Sequence, residues 1–158
     1  MKSSSAQIPI RSRAVAAVIL AGRGEAARVL ALQRAKNTSR GLWSLVMGGI
    51  EKGESAAEAI RREIAEETGV TVEALYTTGC VDTFFNSGAN TIEMMPIFVA
   101  LFDNAPSVRL DHEHLAYRWL SFAEAVETLA YAGQRDALPH IKRDFADRAP
   151  PEFRLIRT

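Results

Sequence analysis

The sequence predicts one domain of the α/β (α+β) class, a mixed sheet with helices packed on its faces. Three observations carry this. The chain has 158 residues, of which 47% are apolar and 24% charged. A chain of that size and composition buries roughly 70% of its unfolded surface and folds without disulfide or structural metal. Segments with strand character outnumber those with helical character, and the helical ones are dispersed among the strands, where they cover the sheet.

In chain order, the polar stretch Met1 to Arg13 holds no apolar pattern. Residues 1–12 are expected to be a flexible N-terminal tail, residues 13–148 the domain, and 149–158 a C-terminal tail. Ala14 to Ala21 is rich in Val and Ile and ends at Gly22-Arg23-Gly24, which reads as a buried strand and a turn. Arg28 to Arg34 is its hairpin partner. A loop from Ala35 to Gly41 leads to a short strand, Leu42 to Met47, which runs into Gly48-Gly49. Glu54 to Thr68 has helical composition, with Gly69 as its stop. Val70 to Phe85 is strand-like, interrupted at Thr77-Thr78-Gly79. Ile92 to Phe102 is a second long strand in which Pro96 marks a bulge or a sheet edge. Leu115 to Leu120 is a short strand. Ser121 with Glu124 forms a capping box for a helix from Phe122 to Tyr131. A last helix covers Gln134 to Phe145, with Pro139 at a kink or start.

Lys and Arg total 19, as do Asp and Glu. That balance argues against duplex nucleic acid or an anionic membrane as partner. The apolar run Ala14 to Ala21 is too short to cross a bilayer and lacks the setting of a signal peptide. Cys80 stands alone, so no intrachain disulfide forms, which suits a reducing cytoplasm. The expected location is cytoplasmic.

The chemistry concentrates on the helix from Glu54 to Thr68. With Ile60 at zero and about 100° per residue, Ala56 and Ile64 fall within about 40° and define the buried stripe. Glu58, Arg61, Arg62 and Ala65 lie on the far side, expected to face solvent. Glu67 falls about 20° from Ile60, Glu63 about 60° and Glu66 about 120°. Carboxylates displaced toward a buried face repel one another and take up protons unless a cation joins them. Mg²⁺ and similar hard cations prefer such oxygen ligands. A solvated acidic face paired with Arg61 and Arg62 is the alternative. The loop Gly48-Gly49-Ile50-Glu51-Lys52-Gly53-Glu54 leads into the helix, and its glycines permit close backbone approach to a ligand.

Gly48, five residues, Glu54, seven residues, then Arg62-Glu63-Ile64-Ala65-Glu66-Glu67-Thr68-Gly69-Val70 resembles the Nudix box at every defined position. The resemblance implies an α/β/α sandwich with the box helix on one face of the mixed sheet. It implies hydrolysis of a nucleotide-like phosphoanhydride with Mg²⁺ or Mn²⁺. By the resemblance, Glu63 and Glu67 are the main metal ligands, and Glu66 is a further ligand or the base that deprotonates water. Arg62 orients the carboxylates, Glu54 makes an outer contact, and the carbonyl of Gly48 or its neighbour completes the coordination. The segment Glu113-His114-Leu115-Ala116-Tyr117-Arg118-Trp119-Leu120 resembles the dihydroneopterin triphosphate and dATP pyrophosphohydrolase group and the diadenosine tetraphosphate hydrolase group. It implies a metal or base role for Glu113. His112 and His114 are read as structural rather than as ligands.

Phe84, Phe85 and Asn86 end a strand and are candidate substrate walls. Trp43 is a candidate stacking platform, and Arg34 and Lys36 are candidate phosphate contacts. Three functions follow from these residues. One is a pyrophosphohydrolase of a nucleoside or pterin triphosphate. The second is a dinucleoside polyphosphate hydrolase, against which Val46-Met47-Gly48-Gly49 stands in place of a Pro-Lys-Gly sequence. The third is a non-catalytic nucleotide-binding module, which retention of every box carboxylate disfavours. Whether the chain is a monomer or a homodimer stays open.

Overall fold

The computed structural model describes residues 6–157. The first five residues of the expected N-terminal tail and the last residue of the C-terminal one lie outside the described residues. The strands are β1 (Ile10–Arg11), β2 (Ala14–Ala21), β3 (Arg28–Arg34), β4 (Trp43–Ser44), β5 (Val46–Gly49), β6 (Ala74–Asn86), β7 (Thr91–Phe102) and β8 (His114–Leu120). The helices are α1 (Ala56–Thr68), α2 (Phe122–Thr128) and α3 (Ala132–Ile141).

All eight strands join one mixed sheet. Strands β1 and β2 run parallel to β7, and the other pairs are antiparallel. Strand β2 is fully apolar because both its faces are covered, and the period of two along it sorts the core into layers. Val15, Ala17 and Ile19 point to α1 and meet Ala59, Ile60 and Ile64. Ala16, Val18 and Leu20 point to α2 and α3 and meet Phe122, Ala125, Leu138 and Ile141. The result is the expected α/β/α sandwich. Among the described residues no helix is long and apolar enough to cross a membrane.

Several boundaries differ from the sequence reading, each for a local reason. Helix α1 starts at Ala56, because Ser55 is its N-cap and forms a capping box with Glu58. It stops as expected at Gly69, whose φ of 70° is left-handed. The expected strand Leu42 to Met47 is two strands: β4 pairs with β3 and β5 with β2. The chain changes partner at Leu45, whose backbone N–H donates to Gln134 Oε1 at 2.9 Å instead of to a strand. Helix α2 ends at Thr128, and Ala130 N then donates to Trp43 O at 2.9 Å. Pro139 lies inside α3, which widens into a π-turn at Lys142–Ala146. Pro96 lies opposite Val81 at the register shift of the β6–β7 pairing, and between the β7 residues paired to β1 and those paired to β2.

The two expected tails are partly docked. Ile10 pairs with Ile92. At the other end Leu155 bridges Tyr76, and Ile156 N donates to Leu75 O at 2.8 Å.

Candidate active site

The site is built around α1 because its apolar stripe must bury and two box glutamates lie on or beside it. Glu67 is 4% exposed, whereas Glu66 is open to solvent. The helix's last carbonyls lack intrahelical donors. The segment before β8 supplies them: Arg109 N reaches Thr68 O at 2.8 Å and Asp111 N reaches Glu67 O at 3.4 Å. That docking sets Asp111, Glu113 and His114 over Glu67. His114 is buried, with Nδ1 2.9 Å from Asp111 Oδ1 and Nε2 3.9 Å from Glu67 Oε2.

Among the described residues Glu67 Oε2 has no hydrogen-bond partner. Burial, with Glu63 and Asp111 close by, pushes the Glu67 carboxyl up to about 9, against a smaller opposing pull from Arg34. Glu63 is pushed up as well, chiefly by burial, although Arg62 acts against it. Its carboxylate fills the space over Gly48: a Cβ there would lie 2.0 Å from Glu63 Cδ. Gly48, lacking a side chain, leaves the room that the Glu63 carboxylate occupies.

Arg62 does not face solvent as the helical period predicts. Its planar fork turns back along α1 and uses every donor position. Nε and Nη2 bind Glu54 at 2.6 and 2.9 Å, Nη1 binds Glu63 at 2.9 Å and Glu66 at 3.3 Å, and Nη2 also binds Gly49 O at 2.8 Å. A bidentate arginine–carboxylate pair of this kind fixes geometry as well as charge. It holds the Glu54 carboxyl at about 2. Arg61 also leaves the solvent face, donating from Nη1 to Val72 O at 2.7 Å.

Lys36 Nζ binds Glu113 Oε1 at 2.5 Å, which holds the Glu113 carboxyl below its usual range. Lys36, a candidate phosphate contact, is thus paired with a carboxylate in this structure. Arg34 donates from Nε to Ser39 Oγ at 2.9 Å and lies close enough to favour ionised Glu67. Trp43 is not at the site. It packs on the α2–α3 core layer with the Arg118 guanidinium 4.9 Å from its ring centre. It is not among the residues that line the aromatic cleft, although Met47 of that cleft packs on the same layer.

Phe84, Phe85 and Asn86 do share a cleft, of about 720 Å³. Met47, Asp82 and Tyr131 also line it. Met47 immediately precedes Gly48 on β5, so one short strand carries a cleft wall and the floor under Glu63. The sequence reading missed Met47 and Asp82. A lone carboxylate at an inward position of an apolar strand was the available signal for Asp82.

Among the described residues no three His, Cys, Asp or Glu side chains are gathered tightly enough to hold an ion as they stand. Arg62 draws Glu63 and Glu66 to itself, and Lys36 draws Glu113.

Buried Glu67 with the more open Glu63, Glu66 and Glu113 at the end of α1, near an aromatic cleft, is an arrangement suited to phosphoanhydride hydrolysis. Residues 10–141 match the NUDIX domain, and the chain belongs to the Nudix family of hydrolases. It is 32% identical over 143 residues to an octanoyltransferase of Myxococcus xanthus, covering 86% of this chain and 38% of that protein. The chain spans between 16% and 42% of the lengths of the first curated relatives it matches. Among solved structures it resembles the MutT protein of Methanosarcina mazei Go1, with 29% identity, a TM-score of 0.71 and coverage of 88% and 97% of the two chains. It also resembles a Caenorhabditis elegans Ap4A hydrolase in a binary complex, with 25% identity, a TM-score of 0.70 and coverage of 82% and 94%. The Escherichia coli dihydroneopterin triphosphate pyrophosphohydrolase shares the fold, with 23% identity, a TM-score of 0.71 and coverage of 87% and 99%.

Proposed function

We propose that the chain is a Mg²⁺- or Mn²⁺-dependent pyrophosphohydrolase of a nucleoside or pterin triphosphate. The observation that carries this is Glu67, a buried carboxylate with an unpartnered oxygen beside Glu63 and the Gly48 floor. Burying such a group without compensation is costly. A hard cation is the partner that suits an all-oxygen donor set. The residues present fit one: Glu63, Glu67, Glu66, Glu113 and the Gly48 carbonyl would hold it. Bound there, it would polarise a phosphoryl oxygen and acidify water.

The protein's own groups divide the remaining work. Water attacks the α-phosphorus, the bond from that phosphorus to the α,β-bridging oxygen breaks, and pyrophosphate leaves with that oxygen, so that a nucleoside or pterin monophosphate remains. The proton passes to Glu66. This exposed carboxylate suits the role better than Glu113, whose proton affinity Lys36 lowers. Arg62 keeps Glu63 and Glu66 aligned. The aromatic cleft holds the ring, for which stacking on a face such as Phe84 is worth ~1–3 kcal/mol. These are small-molecule contacts, and the balanced charge supports no duplex partner.

A substrate panel tests the proposal. The protein is incubated with Mg²⁺ and GTP, dATP, dihydroneopterin triphosphate, diadenosine tetraphosphate or ADP-ribose, and the products are identified. Pyrophosphate plus a monophosphate is expected from a triphosphate. Turnover of the dinucleotide alone would move the reading to a dinucleoside polyphosphate hydrolase, and binding without turnover to a nucleotide-binding module.

A further inference from the structure

Asp82 is a buried charge the reaction above does not use. It is 3% exposed, sits in the middle of β6 and lines the cleft that holds Phe84. Alternation along β6 puts Asp82 and Phe84 on the same side of the strand, and Asp82 pairs across it with buried Met95.

Among the described residues no hydrogen bond steadies the carboxylate. Its surroundings act on it only through burial and the like charge of Asp136. The fold keeps a place for it all the same. Gly133, at the start of α3, has no side chain, and a Cβ there would lie 1.9 Å from Asp82 Oδ1. Two acceptor oxygens still face a cleft without a donor, which a buried carboxylate rarely tolerates.

We propose that Asp82 selects the substrate's heterocycle, its carboxylate accepting the paired N–H groups of a 2-amino-4-oxo ring edge such as that of guanine or pterin. This rests on the reading of the chain as a triphosphate hydrolase. The ring N–H and the exocyclic amine of that edge are parallel donors on neighbouring atoms, so they meet two carboxylate oxygens as a guanidinium does. Adenine offers an amine beside a bare ring nitrogen, whose lone pair would face a carboxylate oxygen. Selection therefore includes a repulsive element against the wrong ring. Phe84 and the Met47 and Met95 thioethers border the slot in which the ring would lie.

Calorimetric titration with GMP and AMP reads base selection without needing turnover. The wild type is expected to bind GMP at least ~10-fold more tightly, because AMP lacks the paired donors and leaves a carboxylate oxygen unpaired. Asp82→Asn keeps the shape but presents one acceptor and one donor, so the preference is expected to vanish or reverse toward AMP. Equal affinities in the wild type, no binding of either, or an unchanged preference in Asp82→Asn would overturn the assignment. The wild-type ratio decides even where the variant fails to fold, and a merely structural role in capping α3 would lower the melting temperature without moving the ratio. Turnover of GTP and dihydroneopterin triphosphate then separates guanine from pterin as the ring. A GMP preference without hydrolysis of any triphosphate would sink the hydrolase reading and leave the base assignment standing. Hydrolysis of GTP and ATP at equal kcat/KM would do the reverse.

Discussion

Glu67 carries opposed demands that its variants separate. Its raised carboxyl, at about 9, means the folded protein without metal binds a proton that the unfolded chain releases near the usual 4.5. The stabilising contribution is fully present below about 4.5 and is lost as pH rises toward 9. Thermal melts in chelator are expected to show a falling melting temperature from pH 5 to 9, and Glu67→Gln is expected to flatten that slope. The same variant is expected to lower kcat by at least ~10²-fold with Mg²⁺, because an ion ligand is gone. Near-normal activity would remove Glu67 from the metal site. Gly48 makes the complementary case. Its φ is not left-handed, so alanine fits the backbone, and the new methyl meets only the movable end of Glu63. Gly48→Ala is expected to leave the melting temperature nearly unchanged while activity falls through displacement of Glu63. A large loss of stability would show instead that the glycine serves the strand. At this scale the sequence was highly informative: helical period alone drew Glu67 and Glu63 toward the core, and the box resemblance pointed to Arg62. What it could not show was that Lys36 is tied to Glu113 or that Trp43 lies elsewhere, since both depend on contacts between distant segments.

At the scale of elements, local signals were readable and partner changes were not. The strand Ala14–Ala21, the Gly69 stop and the Ser121 box are written in short stretches and stand where expected. The break at Leu45 has no local cause, because its reason lies in Gln134 on α3. Gln134 is wholly buried and accepts the Leu45 N–H that neither β4 nor β5 uses. Its other end points at Met47 Sδ, 3.3 Å away, so one side chain ties α3 to the strand that borders the cleft. Gln134→Leu keeps similar bulk but strands a buried donor, a loss of about 1–3 kcal/mol. Chemical denaturation is expected to show a lower midpoint with an unchanged slope. A midpoint equal to the wild type would mean that Leu45 N–H finds another partner and that the β4–β5 break does not depend on α3.

Across the whole molecule, the sheet is protected on both faces by helices but has an open side along β6, the strand beyond β7. The segment after Pro150 closes part of it. Tyr76 bridges Leu155, Leu75 O accepts from Ile156 N, and Arg154 Nη1 reaches Thr78 O at 2.9 Å and Asp144 Oδ2 at 3.3 Å. This stretch reads as a tail because Pro150-Pro151 and the residues after it have no period, and its order comes from the strand it meets. Exposed strand edges are templates for pairing with another chain. Val81, Phe84 and Phe85 on β6 are already 44%, 43% and 52% exposed, so apolar surface adjoins that edge. Removing residues 150–158 is expected to lower the melting temperature and to produce concentration-dependent association in light scattering. Ile156 packs on the α1 layer, but the end of α1 that carries Glu67 is held by Arg109 and Asp111, so kcat at dilute concentration is expected to change much less than stability. If the shortened chain stayed as stable and as dispersed as the full one, β6 would need no cover, and the docking of Leu155 and Ile156 would be incidental to the fold.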